Sequence, residues 1–132
     1  SITVVFDEAV TVTGTPTLAL SNGETATYAS GTGTTSIVFS YTPAAGDTNA
    51  TDLDVTAINN TAGGATMVDA SSNAIDTTVN NELSGSNAVV IASEVPNVQS
   101  MSATDATYAV GEAVSITVVF DEAVTVTGTP TL

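Results

Sequence analysis

Residues 1–18 read SITVVFDEAVTVTGTPTL, and the same run recurs without a change at residues 115–132. Its alternation is that of a strand. In the second copy Val114, Ile116, Val118 and Phe120 fall on one face of an extended segment over about 113–120. Asp121-Glu122-Ala123 is expected to turn the chain, and Val124-Thr125-Val126-Thr127 to resume a strand. Asp7 and Glu8 make the same turn in the first copy. Identity at every position cannot be chance, and duplicated domains drift at their surfaces, so the array is either recently duplicated or kept homogeneous.

The two copies are offset by 114 residues. That period exceeds the roughly 20–50 residues of solenoid units and fits whole sandwich domains strung end to end. The sequence is therefore expected to be a window on a longer array. Residues 1–94 would be the body of one domain lacking its first strands, and 95–132 the first strands of the next. The boundary is placed near Glu94-Val95-Pro96-Asn97, where proline removes an amide donor and favours extended backbone.

Working outward, a strand is expected at about 98–104, before the one at 113–120. In the first copy the chain continues through Thr15-Pro16-Thr17-Leu18-Ala19-Leu20 and turns at Ser21-Asn22-Gly23. Further strands are expected around Ala26, Tyr28 and Ser30, over 37–41, over 53–58 and over 88–92. Turns fall at Gly31-Thr32-Gly33 and in the loop from Ala44 to Asp52, with a polar stretch over 69–87. No window reads as a helix. Seven or eight short strands separated by turn signals indicate an all-β, immunoglobulin-like Greek-key β-sandwich.

Composition narrows the function. The 132 residues include no Lys, Arg, His, Cys or Trp, and the formal net charge is −14. Nucleophile pairs, Schiff-base lysines and phosphate-clamping arginines cannot be built from what remains, so the chain is not expected to be an enzyme. Zinc would need His or thiolate ligands. Nucleic acid is excluded as a partner, because its binding requires cations to neutralise phosphates. Carboxylates, hydroxyls and amides are left, and these suit hard cations or sugars. Apolar residues make up 42% and charged residues 11%, the reverse of an acidic disordered chain, so a packed core is expected. No run approaches the roughly 18 apolar residues of a membrane span. Without cysteine there are no disulfide staples, and bound metal is the obvious replacement.

Several segments resemble the bacterial immunoglobulin-like tandem repeats of giant surface adhesins, including the SwmB-type repeats and the extender repeats of RTX adhesins. The resemblance rests on Tyr108-Ala-Val-Gly111-Glu112 and on the run from Ile116 through Phe120-Asp-Glu-Ala-Val124 to Gly128-Thr-Pro130-Thr-Leu132. Leu20-Ser-Asn-Gly23, Ala26-Thr-Tyr28-Ala-Ser30-Gly31, Phe39-Ser-Tyr41-Thr, Ala45-Gly46-Asp47, Asp52-Leu-Asp54-Val and Asp69-Ala-Ser-Ser-Asn73-Ala extend it. It covers nearly the whole chain. The resemblance implies a secreted, cell-surface extender domain used in many copies as a stalk that calcium stiffens. Two positions depart from the pattern: Ser72 stands where the family usually has Gly, and Glu94 stands where its linker often has Asp.

The residues themselves also point to calcium, which takes about six to eight oxygen ligands. Asp47, Asp52 and Asp54 lie close in sequence, and like charges so near repel unless neutralised. With Glu94 of one domain and Asp121 and Glu122 of the next, plus the Asn97 amide, Asp47 and Asp52 form the expected junction site. Asp7 and Glu8 would serve the preceding junction. A second candidate is Asp69-Ala-Ser-Ser-Asn73-Ala-Ile-Asp76, whose alternating oxygen side chains resemble a small cation loop. No EF-hand spacing is present, and scattered acids also serve simply to keep a chain soluble.

The primary expectation is a structural extracellular rod or filament built from adjacent identical repeats, with lateral self-association as a further expectation. One alternative is a repeat that itself binds glycan or another surface. Another is a subunit assembled by terminal strand exchange, in which end strands complete neighbouring domains.

Overall fold

The computed structural model describes residues 1–79, 83 and 88–132. It is all-β, with curled antiparallel sheets consistent with a β-sandwich. The chain divides into two compact units, Ser1–Glu94 and Val95–Leu132.

The first unit contains β1 (Ile2–Thr13), β2 (Thr17–Leu20), β3 (Thr25–Ser30), β4 (Thr34–Ser40), β5 (Val55–Asn59) and β6 (Thr66–Val68), with a 3-10 turn at Ala62–Gly64. Their order in the sheet is β5-β2-β3-β4-β1-β6. Period-two alternation selects the core: Leu18 and Leu20 point inward from β2, Ala26 from β3, and Ile37 and Phe39 from β4. Register lines these up across the sheet. Leu18 sits opposite both Ala26 and Ile58, while Phe39 sits opposite Tyr28 and Ile2. The Tyr28 and Phe39 rings meet edge to face with centroids 6.3 Å apart. Leu18, Ile37 and Phe39 are wholly buried, each contributing roughly 1.5–3 kcal/mol.

Several expectations fail. Asp7-Glu8-Ala9 does not turn the chain, because β1 remains extended through it and changes partner. Ile2–Val5 pair with Phe39–Ser36 of β4, the register then shifts, Val10 pairs with Thr34, and Thr11–Thr13 pair with Val68–Thr66 of β6. A bulge takes up the irregularity, so what sequence reading divides into two strands is one strand serving two neighbours. The strand expected over 88–92 appears only as an antiparallel bridge between Ala50 and Ile91, with Leu53 N–H donating to the Val89 carbonyl at 2.7 Å. Part of the polar stretch over 69–87 lies outside the described residues.

The second unit is a hairpin of β7 (Val98–Ala103) and β8 (Ile116–Phe120). Its 124–127 segment, expected as a strand, is not one. Most of its residues are exposed, including Met101 at 65% and Ile116 at 52%, so it has no interior of its own.

The turn between β3 and β4 supplies a stability test. Gly31 has φ +109°, and a Cβ there would run into the Ser36 carbonyl oxygen, whereas Gly33 (φ +79°) faces open space. Gly33→Ala should cost about 1–2 kcal/mol for its left-handed backbone. Gly31→Ala should cost roughly 1–3 kcal/mol more, for the clash. Urea denaturation of both variants measures the difference, and equal losses would contradict this account of the turn.

Candidate functional site

The acidic residues expected to bind a cation fall into three local settings. In the first, the loop after β4 is tied down by Asp47. The Tyr41 hydroxyl donates to Asp47 Oδ2 at 2.8 Å, and the Ala44 N–H donates to the same oxygen at 2.9 Å. The nearly buried Asn22 extends the network, its Nδ2 donating to the Tyr41 hydroxyl oxygen at 3.1 Å and to the Thr48 carbonyl at 3.3 Å. Asp52 Oδ1 accepts from the Val89 N–H at 3.2 Å. Asp54 uses its backbone, donating N–H to Ser21 Oγ at 3.0 Å and accepting from Ser21 N–H at 2.9 Å. Glu94 is latched to Asn49, whose N–H and Nδ2 reach its two carboxylate oxygens at 3.3 and 3.1 Å. The Asn49 Oδ1 in turn accepts from Ser93 and Glu94 N–H. Asp47, Asp52 and Asp54 therefore do not converge as a trio; separate hydrogen bonds hold them in place.

The second setting joins residues that sequence reading kept apart. Asp7 and Glu8, at the partner change of β1, line a cavity of about 250 Å³ together with Phe6, Val10, Asp69, Asn73, Ala74, Ile75 and Asp76. Strand pairing is the cause: Thr11 sits opposite Val68, and the Asp69 loop leaves β6 directly after Val68. Within that loop Asp69 Oδ1 accepts from the N–H groups of Ser71 and Asn73, both at 2.8 Å, and Oδ2 accepts from Asn73 Nδ2 at 2.7 Å. Ser72 takes a left-handed φ of +68°, the conformation glycine adopts without strain. Asp76 Oδ1 accepts from the Thr78 N–H and hydroxyl at 2.9 and 2.7 Å.

The third setting lies in the second unit. Asp121 exchanges hydrogen bonds with Asn97: its N–H donates to the Asn97 carbonyl at 3.1 Å, and its carboxylate accepts from Asn97 N–H at 2.7 Å and from Nδ2 at 3.3 Å. Asn97, expected to offer an amide to a cation, donates to Asp121 through its N–H and Nδ2. Glu122 is exposed beside it. Asp7 occupies the equivalent position in the first copy, and its carboxylate accepts no hydrogen bond among the described residues. Among the described residues no three acidic side chains stand close enough together to hold a metal ion as they are placed.

Comparison with family models, with curated proteins and with solved structures returned no match.

Sequence reading missed the donors. Asn22, Tyr41, Ser21 and Asn49 hold the loops that carry the acids, and only the turn signal at Ser21-Asn22-Gly23 hinted at two of them. Other donors shift the ionisation of three aspartates. Hydrogen bonds from Asn73 hold Asp69 below the usual aspartate value of 3.8, those from Thr78 do so for Asp76, and the Asn97 N–H does so for Asp121. Desolvation raises the Tyr41 phenol above 10.0, and its bond to Asp47 adds to the shift.

A depressed carboxylate stabilises the fold above its unfolded pKa, and that contribution is lost as pH falls through the folded value. The urea midpoint should therefore drop on acidification from about pH 5 to about pH 2. Asp69→Asn should lower the midpoint at the higher pH and flatten the acid slope; an unchanged slope would separate the loop from acid stability. Ser72→Gly should raise stability by about 1 kcal/mol by relieving the left-handed strain, read in the same titration. A loss in that variant would contradict the strain argument.

Proposed function

We propose that this chain is a structural repeat of an extracellular rod or filament, a stalk, sheath or surface fibre, whose acidic loops bind calcium and stiffen the array. The observation that carries the reading is the unchanged recurrence of residues 1–18 at 115–132, because an array kept identical to this degree serves as a repeated building element. An all-β body suits that use. The role is mechanical and not catalytic, and the partners are adjacent identical repeats of the Greek-key, immunoglobulin-like type that the sequence resembles.

Calcium is the matching cofactor on charge. Fourteen acidic residues are accompanied by no Lys, Arg or His, so no side-chain cation neutralises them. The cavity lined by Asp7, Glu8, Asp69 and Asp76 supports the reading further, because it gathers four of the expected ligands at one place. Binding there would bring the exposed Asp7, Glu8 and Asp76 side chains toward Asp69, with further oxygens from backbone or solvent.

The test is a thermal melt of the chain in millimolar calcium and again in excess EDTA, with magnesium as the control. A ligand at about a hundred times its Kd stabilises a fold by about 2.7 kcal/mol, which for a unit of this size raises Tm by about 10 °C or more. Asp69→Asn combined with Asp76→Asn should remove most of that shift, read as the difference between calcium and EDTA within the variant, whose melt in EDTA starts lower because the loop hydrogen bonds are weakened. Equal melting in calcium and EDTA would sink the calcium reading and leave the acids as a solubilising surface.

A further inference from the structure

Two stretches of the chain read Asn-x-Thr, the pattern that N-linked glycosylation requires: Asn49-Ala50-Thr51 and Asn59-Asn60-Thr61. Neither has proline at the middle position or after the threonine. Both asparagines are exposed, so exposure does not separate them. Their hydrogen bonds do. Asn49 Nδ2 donates to Glu94 Oε2 at 3.1 Å, while its Oδ1 accepts from the N–H groups of Ser93 and Glu94 at 2.7 and 3.1 Å. The next residue, Ala50, exchanges both backbone hydrogen bonds with Ile91. The first stretch is therefore tied to the segment 91–94 by side chain and main chain together.

Asn59 is arranged differently. It is the last residue of β5, which lies at one end of the strand order. Ile58 sits opposite Leu18 and packs against the core, so by alternation Asn59 falls on the outer face of the sheet. Val79, Leu83 and Ile91 pack on the core side, and β2, β3 and β4 stand between β5 and β1. The accessibility of Asn59 is thus set by its own strand and by the turn that follows, at Asn60 and Thr61. In that turn Asn59 Oδ1 accepts from the Thr61 N–H and from the Thr61 hydroxyl, both at 3.4 Å. Among the described residues Asn59 Nδ2 has no acceptor, unlike Asn49 Nδ2.

An amide nitrogen is a poor nucleophile, because resonance delocalises its lone pair into the carbonyl. Hydrogen bonds to the amide oxygen draw charge away from the nitrogen and make its protons easier to remove, and Thr61 supplies two such bonds to Asn59. We propose that Asn59 is an acceptor site for N-linked glycan and that Asn49, with the same local pattern, is not. The donor class is a sugar activated at its anomeric carbon by a phosphate or pyrophosphate ester and presented by a transferase. In the reaction Asn59 Nδ2 bonds to the anomeric carbon, the bond from that carbon to the phosphate oxygen breaks, and the phosphate leaves with the electron pair. One Nδ2 proton passes to a base of the transferase. Neither calcium nor a second copy of the chain takes part, so this inference and the proposed function can fail separately.

The test treats the folded full chain in two arms, one with a soluble N-glycosyltransferase and a nucleotide-linked sugar, the other with an oligosaccharyltransferase and a lipid-pyrophosphate-linked glycan. Peptide mapping reads the occupancy of each asparagine. Asn59 should be occupied, and the arm in which it is occupied identifies the donor. Its labelling should be at least about tenfold faster than that of Asn49, which must first give up hydrogen bonds shared with a carboxylate. Asn59→Gln and Thr61→Ala should each abolish the label, whereas Thr61→Ser, which keeps the hydroxyl, should retain it. Short peptides of residues 46–54 and 56–64 should be labelled at comparable rates, because the discrimination lies in the fold. Occupancy of Asn49 at or above that of Asn59, the same preference in the peptides, labelling undiminished by Thr61→Ala, or an unoccupied Asn59 in both arms would each overturn the proposal.

Discussion

The first unit depends on β1 serving two neighbours in succession. If β1 ended at Phe6, as the acidic turn signal suggests, β6 would lose the strand it pairs with. The extended path through Asp7, Glu8 and Ala9 keeps β6 on the sheet, and β6 delivers the Asp69 loop. The partner change also sets the charge pattern. The bulged residues cannot all pair, so the exposed acids occupy the stretch where ladder hydrogen bonds are interrupted, and their side chains come to line a cavity with Asp69 and Asp76.

The duplicated run shows how far a strand depends on its neighbours. Thr11–Thr13 are strand because β6 pairs with them, while the same residues at 125–127 have no such neighbour in the second unit and are not strand. Intrinsic preference is identical in the two copies, so context decides. The same holds for Asp7 and Asp121. Asp121 is held by Asn97, and its pKa falls accordingly, whereas Asp7 lines a cavity with Asp69 and Asp76.

Strands with strict alternation and flanking turn signals were legible: β3 at Ala26 and Tyr28, β4 at Ile37 and Phe39, and β7 with its serines on alternate positions. The continuity of β1 was not, since Asp-Glu-Ala reads as a turn unless a strand some sixty residues away is known to pair beyond it. The acids were legible as a class but not as groups. Nearness in sequence suggested Asp47, Asp52 and Asp54 as one cluster, yet Asp47 is held by Tyr41 and Ala44 while Asp52 caps the Val89 amide. Asp7 and Asp76, far apart in sequence, line the same cavity. Hydrogen-bond donors carry no charge and leave little mark on composition, so the partners of the acids could not be read before the fold.

A net charge of −14 without compensating cations makes copies of this chain repel one another at a distance. At physiological ionic strength that repulsion is screened over about 8 Å, whereas paired strands lie about 4.8 Å apart. Any contact between copies must therefore form through segments that bring no carboxylates face to face. Ile2–Phe6 and Val98–Ala103 contain no acidic residue, and each is extended backbone with one apolar face. Main-chain hydrogen bonds along such an edge are insensitive to the surrounding charge and are made only at close range. The acids elsewhere then oppose random association of copies.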